Sequence, residues 1–272
     1  MRSLLFLIAL FAATTAAAHP GIGIVLDSRG NVYYTDLAQV WRVEPGGRTT
    51  VVVPHVHTHE LYLDAQDNLY GENLWYEGDA TKKWGHSIWR RSPDGKVETI
   101  IGPREGFRNE FSFVRDRAGN QYWNDNNTIV KRTPDGRSST MTRVHFRDVR
   151  WMMVTPEGTV YFIDVGDLGR ITPAGQVRTI ARDLSDTRLL RPDISKRHML
   201  MGLWSDRSGN ICVADFAHGK VKRVAPDGRV TVIAESHLPW SVTGGVYAAN
   251  GDLLLLEYSV TNAARVRRIR HR

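Results

Sequence analysis

One sequence pattern recurs six times along the 272-residue chain, and it limits the possible folds more than any other feature. Each copy contains a short apolar run, a tight turn and a second apolar run. A Gly or Asp marks the turn at positions 30, 67, 119, 158, 209 and 251, so the copies follow one another at intervals of 37 to 52 residues. A period of about 40–50 residues is typical of the blades of a β-propeller. The copies are LDSRGNVYYTD (26–36), LDAQDNLYGEN (63–73), RDRAGNQYWND (115–125), VTPEGTVYFID (154–164), SDRSGNICVAD (205–215) and AANGDLLLLE (248–257).

A second turn follows the first in five of the copies. Its Pro presets the first turn dihedral and its Gly accepts the positive one. The motifs are EPGG (44–47), SPDG (92–95), TPDG (133–136), TPAG (172–175) and APDG (225–228), each followed by a β-branched run. Each copy therefore predicts four antiparallel strands, and residues 19–272 predict an all-β fold, a six-bladed β-propeller. The last copy ends in ARVRRIRHR without a fourth strand, so three strands are the alternative for that blade.

The first eighteen residues predict a cleaved signal peptide rather than part of the fold. An arginine precedes an apolar run that ends at Ala16-Ala17-Ala18, small residues that suit a signal peptidase. We therefore expect a secreted or periplasmic protein, with no membrane span because no run reaches spanning length. The single cysteine, Cys212, cannot form an internal disulfide. The net charge of +7 is interpreted as a solubility feature, and we expect a monomer without a nucleic-acid partner.

The repeats resemble the NHL repeat and the six-bladed group that contains the gluconolactonases and regucalcin. The shared pattern is P-x-G-h-x-x-D-x-x-G-N-h-Y-h-x-D, with R-h-x-P-x-G downstream. The resemblance implies an architecture that carries lactonases, amidating lyases and non-enzymatic binders. In the gluconolactonase group, the starts of the inner strands supply Glu, Asn and Asp ligands to one divalent ion. The corresponding positions here hold His59, Glu60, Asn109, Glu110, Asp148 and Arg150, with no carboxylate in the last two copies, so that ligand pattern is not reproduced.

The irregular segments of the chain all fall on one predicted face of the propeller. That face, which we call the link face, carries the connections between blades and the loops between second and third strands. The opposite face, the turn face, carries the regular Gly-Asn and Pro-Asp-Gly turns. Unusual loops on a rigid scaffold are the usual place for function. We therefore predict a ligand site at the channel mouth of the link face, with substrate-binding residues Trp75, Tyr76, Trp84, Asn109, His198 and His237.

The stretch HVHTHE, residues 55–60, raises the question of a metal site. In an extended strand the three imidazoles lie about 6.6–6.8 Å apart along the chain. Two ligands of one zinc ion lie only about 3–4 Å apart, so one ion takes two of the histidines and a third ligand from a neighbouring link. One hypothesis is a divalent ion (Zn, Ca or Mn) bound by His57, His59 and Glu110. The other is a His-rich turn whose imidazoles only hydrogen-bond to neighbouring loops.

Two functions are consistent with this sequence. The first is binding of a small molecule, glycan or peptide at the channel mouth without catalysis, which the incomplete ligand set favours. The alternative is metal-dependent hydrolysis of a small lactone or ester. In that case Glu60 or Asp148 would act as the base, and Arg150 would stabilise developing negative charge.

Two further sets of polar residues are not assigned to a ligand site. A carboxylate or amide follows the second apolar run of every copy, and such side chains cap loops through backbone N–H groups. These residues are Asp36, Asn73, Asp125, Asp164, Asp215 and Glu257. The arginines of the last strand, positions 265, 267, 268, 270 and 272, are expected to be solvated.

Overall fold

The computed structural model describes residues 20–106, 111–186 and 198–271. The predicted signal peptide and two predicted site residues, Asn109 and Glu110, lie outside this part of the chain. The described residues form six antiparallel sheets, and within each sheet the strands are neighbours in chain order. The predicted all-β, six-bladed propeller is confirmed. No helix within the described ranges has the length and apolar character that crossing a membrane requires.

The first three blades contain four, four and three strands. Blade 1 comprises β1 (Ile24–Leu26), β2 (Val32–Thr35), β3 (Gln39–Val43) and β4 (Thr49–Pro54). Blade 2 comprises β5 (Leu61–Leu63), β6 (Leu69–Tyr76), β7 (Trp84–Arg91) and β8 (Val97–Glu105). Blade 3 comprises β9 (Gln121–Asp125), β10 (Thr128–Arg132) and β11 (Ser138–Thr140).

The last three blades contain four, four and three strands as well. Blade 4 comprises β12 (Val149–Val154), β13 (Val160–Asp164), β14 (Asp167–Ile171) and β15 (Val177–Ala181). Blade 5 comprises β16 (Leu200–Ser205), β17 (Ile211–Asp215), a 3₁₀ turn (Phe216–His218), β18 (Lys220–Val224) and β19 (Val230–Glu235). Blade 6 comprises β20 (Trp240–Tyr247), β21 (Leu253–Ser259) and β22 (Ala264–Ile269), which confirms the three-stranded alternative for the last blade.

Blade 3 departs from the predicted four strands, because its inner segment does not form a regular ladder. Side-chain hydrogen bonds replace part of the ladder there. The Ser112 hydroxyl donates to the Tyr122 carbonyl, and its backbone N–H donates to Oε1 of Gln121 at 2.9 Å. Only an isolated bridge joins Arg115 to Gln121. The segment still occupies the inner position of the blade, where Phe113 is buried.

The D-x-x-G-N motif explains the regularity of the turn face. In the first copy, Oδ1 of Asp27 accepts the backbone N–H groups of Arg29 and Asn31, and Oδ2 accepts the Asn31 side chain. Gly30 then takes a φ of 83°, which favours glycine because it has no Cβ. The two contacts with the Asn recur at Asp64, Asp116 and Asp206.

The ring closes by packing of blade 6 against blade 1. A buried cluster combines Ile24 and Tyr34 with Leu254, Leu256 and Tyr258. The Tyr258 hydroxyl also donates to the Thr35 carbonyl at 2.7 Å. No residue of blade 1 joins the sheet of blade 6 within the described ranges. Side chains, rather than a shared strand, therefore hold this junction.

The recurrent carboxylates of blades 1 and 4 accept hydrogen bonds from backbone N–H groups of the loops, as predicted. Oδ1 of Asp36 accepts two backbone N–H groups of its loop, and Oδ1 of Asp164 accepts those of Arg147 and Asp148. These contacts give the recurrent position a structural role in blades 1 and 4.

The expectation of solvated arginines was wrong for Arg265, Arg267 and Arg268, the arginines of β22, because each forms an ion pair. Glu257 is fully buried and accepts Nε–H groups of Arg265 at 2.8 Å and of Arg267 at 2.6 Å. Arg268 pairs with Asp252, which lies just before the neighbouring strand β21. Because a buried carboxylate needs cationic partners, the sequence of the last strand is constrained by the blade itself.

Candidate functional site

The link between blades 1 and 2 runs beside β6 and presents two imidazoles together. The backbone N–H of His57 donates to Oδ1 of Asn73 at 2.8 Å, and the His57 carbonyl accepts the N–H of Leu74. His55 has a φ of 58° and is exposed, so the chain bends there. The rings of His57 and His59 lie 4.8 Å apart between centroids. The structure therefore groups two of the three histidines, as the hypothesis of one shared ligand requires.

A buried carboxylate supports this imidazole pair from beneath. Oε1 of Glu72 accepts the backbone N–H of His59 at 3.0 Å and lies 3.7 Å from its Nδ1. Glu72 is 2% exposed. Burial lowers the pKa of His57, and His59 lowers it further against the opposing effect of Glu72. The His57 ring is therefore neutral at pH 7 and keeps a nitrogen lone pair for a ligand.

Glu72 was not predicted from the sequence, although the repeat contains a signal for it. The equivalent position in the other five copies holds Thr35, Asn124, Ile163, Ala214 or Leu256. A carboxylate occurs there only in blade 2. A break in an otherwise regular repeat is thus a better indicator of a special role than the carboxylates that recur in most copies.

Blade 2 also projects a hairpin beyond the link face. The strand β6 has eight residues, whereas β2, β13 and β17 have four or five. It continues three residues past Asn73, or about 10 Å at 3.3 Å per residue. The hairpin therefore forms a wall that begins next to the His57–His59 pair.

The wall separates the three aromatic residues predicted to bind a ligand. Tyr76 lies opposite Trp84, and Trp75 lies opposite Gly85. Because opposed residues share a face of a hairpin, Tyr76 and Trp84 form one surface and Trp75 faces the other side. Trp75 packs on Gly85, where a Cβ would lie 2.3 Å from the indole. Tyr76 is 57% exposed, so the Tyr76–Trp84 surface is the accessible one.

Open space follows the central channel from Glu60 to the turn face. Inner segments of all six blades line a cavity of about 220 Å³, and Glu60 is the predicted site residue that lines it. A second cavity of about 620 Å³ shares Ile24, Leu61, Met153, Leu203 and Gly245 with the first. It is also lined by residues 205–207 and 246–249, next to the turns of blades 5 and 6. The sequence did not predict this opening on the turn face.

The other predicted residues lie in or just before the first strands of blades 4, 5 and 6. Oδ1 of Asp148 lies 3.1 Å from Nε of Arg150, so these two residues form an ion pair. His198 is half-buried just before β16, and His237 is exposed just before β20. No group of three His, Cys, Asp or Glu residues suited to a metal ion occurs in the described ranges. Because Glu110 lies outside them, the His57–His59–Glu110 site stays a prediction.

Comparison with known proteins identifies the fold. No protein-family model matches the chain, and no curated protein matches it. Among solved structures, a streptogramin B lyase has a TM-score of 0.59 at 12% identity, covering 87% of this chain and 90% of that protein. The gluconolactonase XC5397 from Xanthomonas campestris has a TM-score of 0.57 at 14% identity, covering 88% and 83%. The PQQ-bound aldose sugar dehydrogenase from Streptomyces coelicolor has a TM-score of 0.59 at 13% identity, covering 92% and 94%. The predicted similarity to gluconolactonase-type propellers is confirmed at the level of the fold.

Proposed function

We propose that this chain is an exported binding propeller that holds a small molecule, glycan or peptide at the link-face mouth. The proposal rests on the position of the His57–His59 pair next to the wall of blade 2. The His57–His59 pair is fixed by backbone hydrogen bonds to β6, and the same strand continues into the wall that carries Tyr76. Polar groups of defined orientation thus adjoin an exposed aromatic surface, the combination that binding sites use for specificity and area.

The two features supply different parts of recognition. The half-buried imidazole of His57 offers a hydrogen-bond donor and an acceptor at the base of the wall, and the buried His59 ring packs beside it. Tyr76 and Trp84 offer ring faces on which a sugar ring or an apolar peptide side chain packs. Glu72 restricts the orientation of His59, so little conformational entropy remains to be lost on binding.

The test is a screen of immobilised glycans and peptides with the purified wild type, two site variants and one control variant. We expect binding to a defined subset, at least about tenfold weaker for Trp84→Ala or His57→Ala. Leu238→Ala is the matched control, because Leu238 is 74% exposed on the link into blade 6 and lies outside the wall. Equal binding by the wild type and the Trp84 and His57 variants, or no binding at all, would contradict the proposal.

A second candidate function, metal-dependent hydrolysis of a small lactone or ester, is favoured by the contact between Glu72 and His59. A carboxylate beside one ring nitrogen orients the imidazole, as the supporting carboxylates of metal-binding histidines do. The His57 and His59 side chains fit part of the donor set of a zinc ion, and Glu110 is the predicted third ligand. A bound ion would polarise a carbonyl group and activate water. The roles proposed for this chain are Glu60 or Asp148 as the base and Arg150 as the stabiliser of negative charge.

Elemental analysis separates the two functions. The protein is purified without chelators or a histidine tag, incubated with zinc, calcium and manganese, and desalted. Hydrolysis requires a stoichiometric metal in the wild type and its loss in His59→Ala. His237→Ala is the control, since His237 is an exposed histidine on a different link. A wild type without metal removes the hydrolase and leaves the binding propeller.

A further inference from the structure

Arg115 is a charged exception at a position that is uncharged in every other copy of the repeat. The residue before the first turn is Leu26, Leu63, Val154, Ser205 or Tyr247 in the other five copies. In blade 3 it is an arginine, and that arginine lines the 220 Å³ cavity of the central channel. The exception thus lies within the channel, at the end nearer the turn face.

The Arg115 guanidinium has no carboxylate partner within the described ranges. Its Nε–H donates to the Ser112 carbonyl at 2.9 Å. Its carbon Cζ lies 4.3 Å from the ring centroid of Phe111 and 5.3 Å from that of Tyr62. An arginine has five N–H donors, so four remain without an acceptor among the described residues. The Phe111 and Tyr62 rings hold the guanidinium in place without neutralising its charge.

The environment of Arg115 is partly dehydrated. Burial lowers the pKa of Arg115, although Tyr62, Tyr70 and Asp64 act in the opposite direction. A guanidinium nevertheless stays charged near neutral pH. A partly buried cation with unused donors attracts an anion more strongly than a fully exposed one does. The cation therefore favours a negatively charged group in the adjoining cavity.

The shape of the cavity indicates what kind of anion fits. Side chains such as Phe113, Met152 and Leu203 supply the apolar part of its lining, and polar atoms supply the rest. Its volume exceeds the roughly 150 Å³ of an apolar cavity that holds benzene. Glu60 lines the same cavity. It precedes Tyr62 by two residues, or about 6.6 Å of extended chain. A ligand with one anionic end and a compact apolar body therefore fits, with its anionic end at Arg115.

We propose that the turn-face end of the channel is a second binding site, which takes a small organic carboxylate. Arg115 forms a paired hydrogen bond with the carboxylate, and the apolar lining holds the ring or chain of the ligand. The ligand enters through the 620 Å³ cavity, whose lining includes Tyr62 and Arg207. This site shares the channel with Glu60 but is separate from the His57–His59 pair and from the wall of blade 2.

The test is isothermal titration calorimetry with benzoate and with benzamide, its neutral analogue. We expect benzoate to bind the wild type at least about tenfold more tightly than benzamide, and Arg115→Gln to remove that preference. Arg115→Lys keeps the charge but not the paired geometry, so an intermediate affinity is expected. Arg117→Gln is the control, because Arg117 is an exposed arginine of the same blade that does not line the cavity. Circular dichroism melts show that each variant is folded.

Three results would overturn the inference. They are no benzoate binding by the wild type up to about 10 mM, equal affinity in Arg115→Gln, and an equal loss in Arg117→Gln. The double variant His57→Ala/His59→Ala is expected to bind benzoate like the wild type. This variant distinguishes the two sites, because losing a ligand at the link face does not change the affinity of Arg115 for benzoate.

Discussion

Replacing Glu257 by Gln tests whether a buried carboxylate stabilises the last blade. The substitution keeps the shape of the side chain but removes the charge that accepts from Arg265, Arg267 and Ser236. Breaking a fully buried ion pair costs about 3–5 kcal/mol. Here Arg265 and Arg267 are 41% and 31% exposed and can regain water, which reduces the cost. We expect a loss of about 2–3 kcal/mol at pH 7, or a fall in Tm of about 5–10 °C.

The pH dependence makes this prediction specific. Burial alone raises the pKa of Glu257, but hydrogen bonds from Ser236, Arg267 and Arg265 together lower it below its ordinary value of 4.5. A carboxylate with a lowered pKa in the folded state stabilises the protein above its unfolded pKa. That contribution disappears as the pH falls through the folded pKa. The stability difference between wild type and Glu257→Gln should therefore be largest near pH 7 and shrink below about pH 4.

The assay is urea denaturation of both proteins at several pH values, followed by tryptophan fluorescence. Glu235→Gln is the control, because Glu235 is half-exposed and lies 3.8 Å from Lys220. The control should change stability by less than about 0.5 kcal/mol. A difference for Glu257→Gln that is equally small, or that stays constant from pH 7 to about pH 3, would refute the reasoning.

Three further predictions concern packing and reactivity. Gly71→Ala should destabilise the fold by about 1–3 kcal/mol in urea denaturation, because the new Cβ would lie 2.1 Å from the Trp89 ring; Gly46→Ala, with open space, should be nearly neutral. Tyr258→Phe should cost about 1 kcal/mol by the same assay, since it removes the hydrogen bond between blades 6 and 1. Burial raises the pKa of the Cys212 thiol to about 12, so the folded protein should resist a disulfide reagent at pH 8 and react once it is unfolded.

The repeat predicted the fold because each blade uses the same local chemistry. The Asp–Asn contacts that fix the first turn are short-range and recur with the motif, so their outcome follows from the sequence. Blade 3 lost its regular inner strand because Ser112 and Gln121 substitute side-chain bonds for backbone bonds. The turn motifs in the sequence do not indicate where side-chain hydrogen bonds replace backbone ones.

The candidate site could be predicted only in part. The sequence identified the histidine-rich link, but the pairing of His57 with His59 depends on the bend at His55 and on contacts with β6. Glu72 and Arg115 were visible only as departures from the repeat. Their importance depends on burial and on the channel, which are products of the assembled ring.

The junction between blades 6 and 1 has a consequence for the mechanical behaviour of the molecule. All other neighbouring blades are connected by the chain itself, whereas this pair is held by apolar contacts and the Tyr258–Thr35 hydrogen bond. A stretching force applied between residue 20 and residue 271 loads that junction directly. In an optical-tweezers experiment the ring should open there first, in a small early step, before the blades extend one after another. Tyr258→Phe should lower the force of that first step and leave the later ones unchanged.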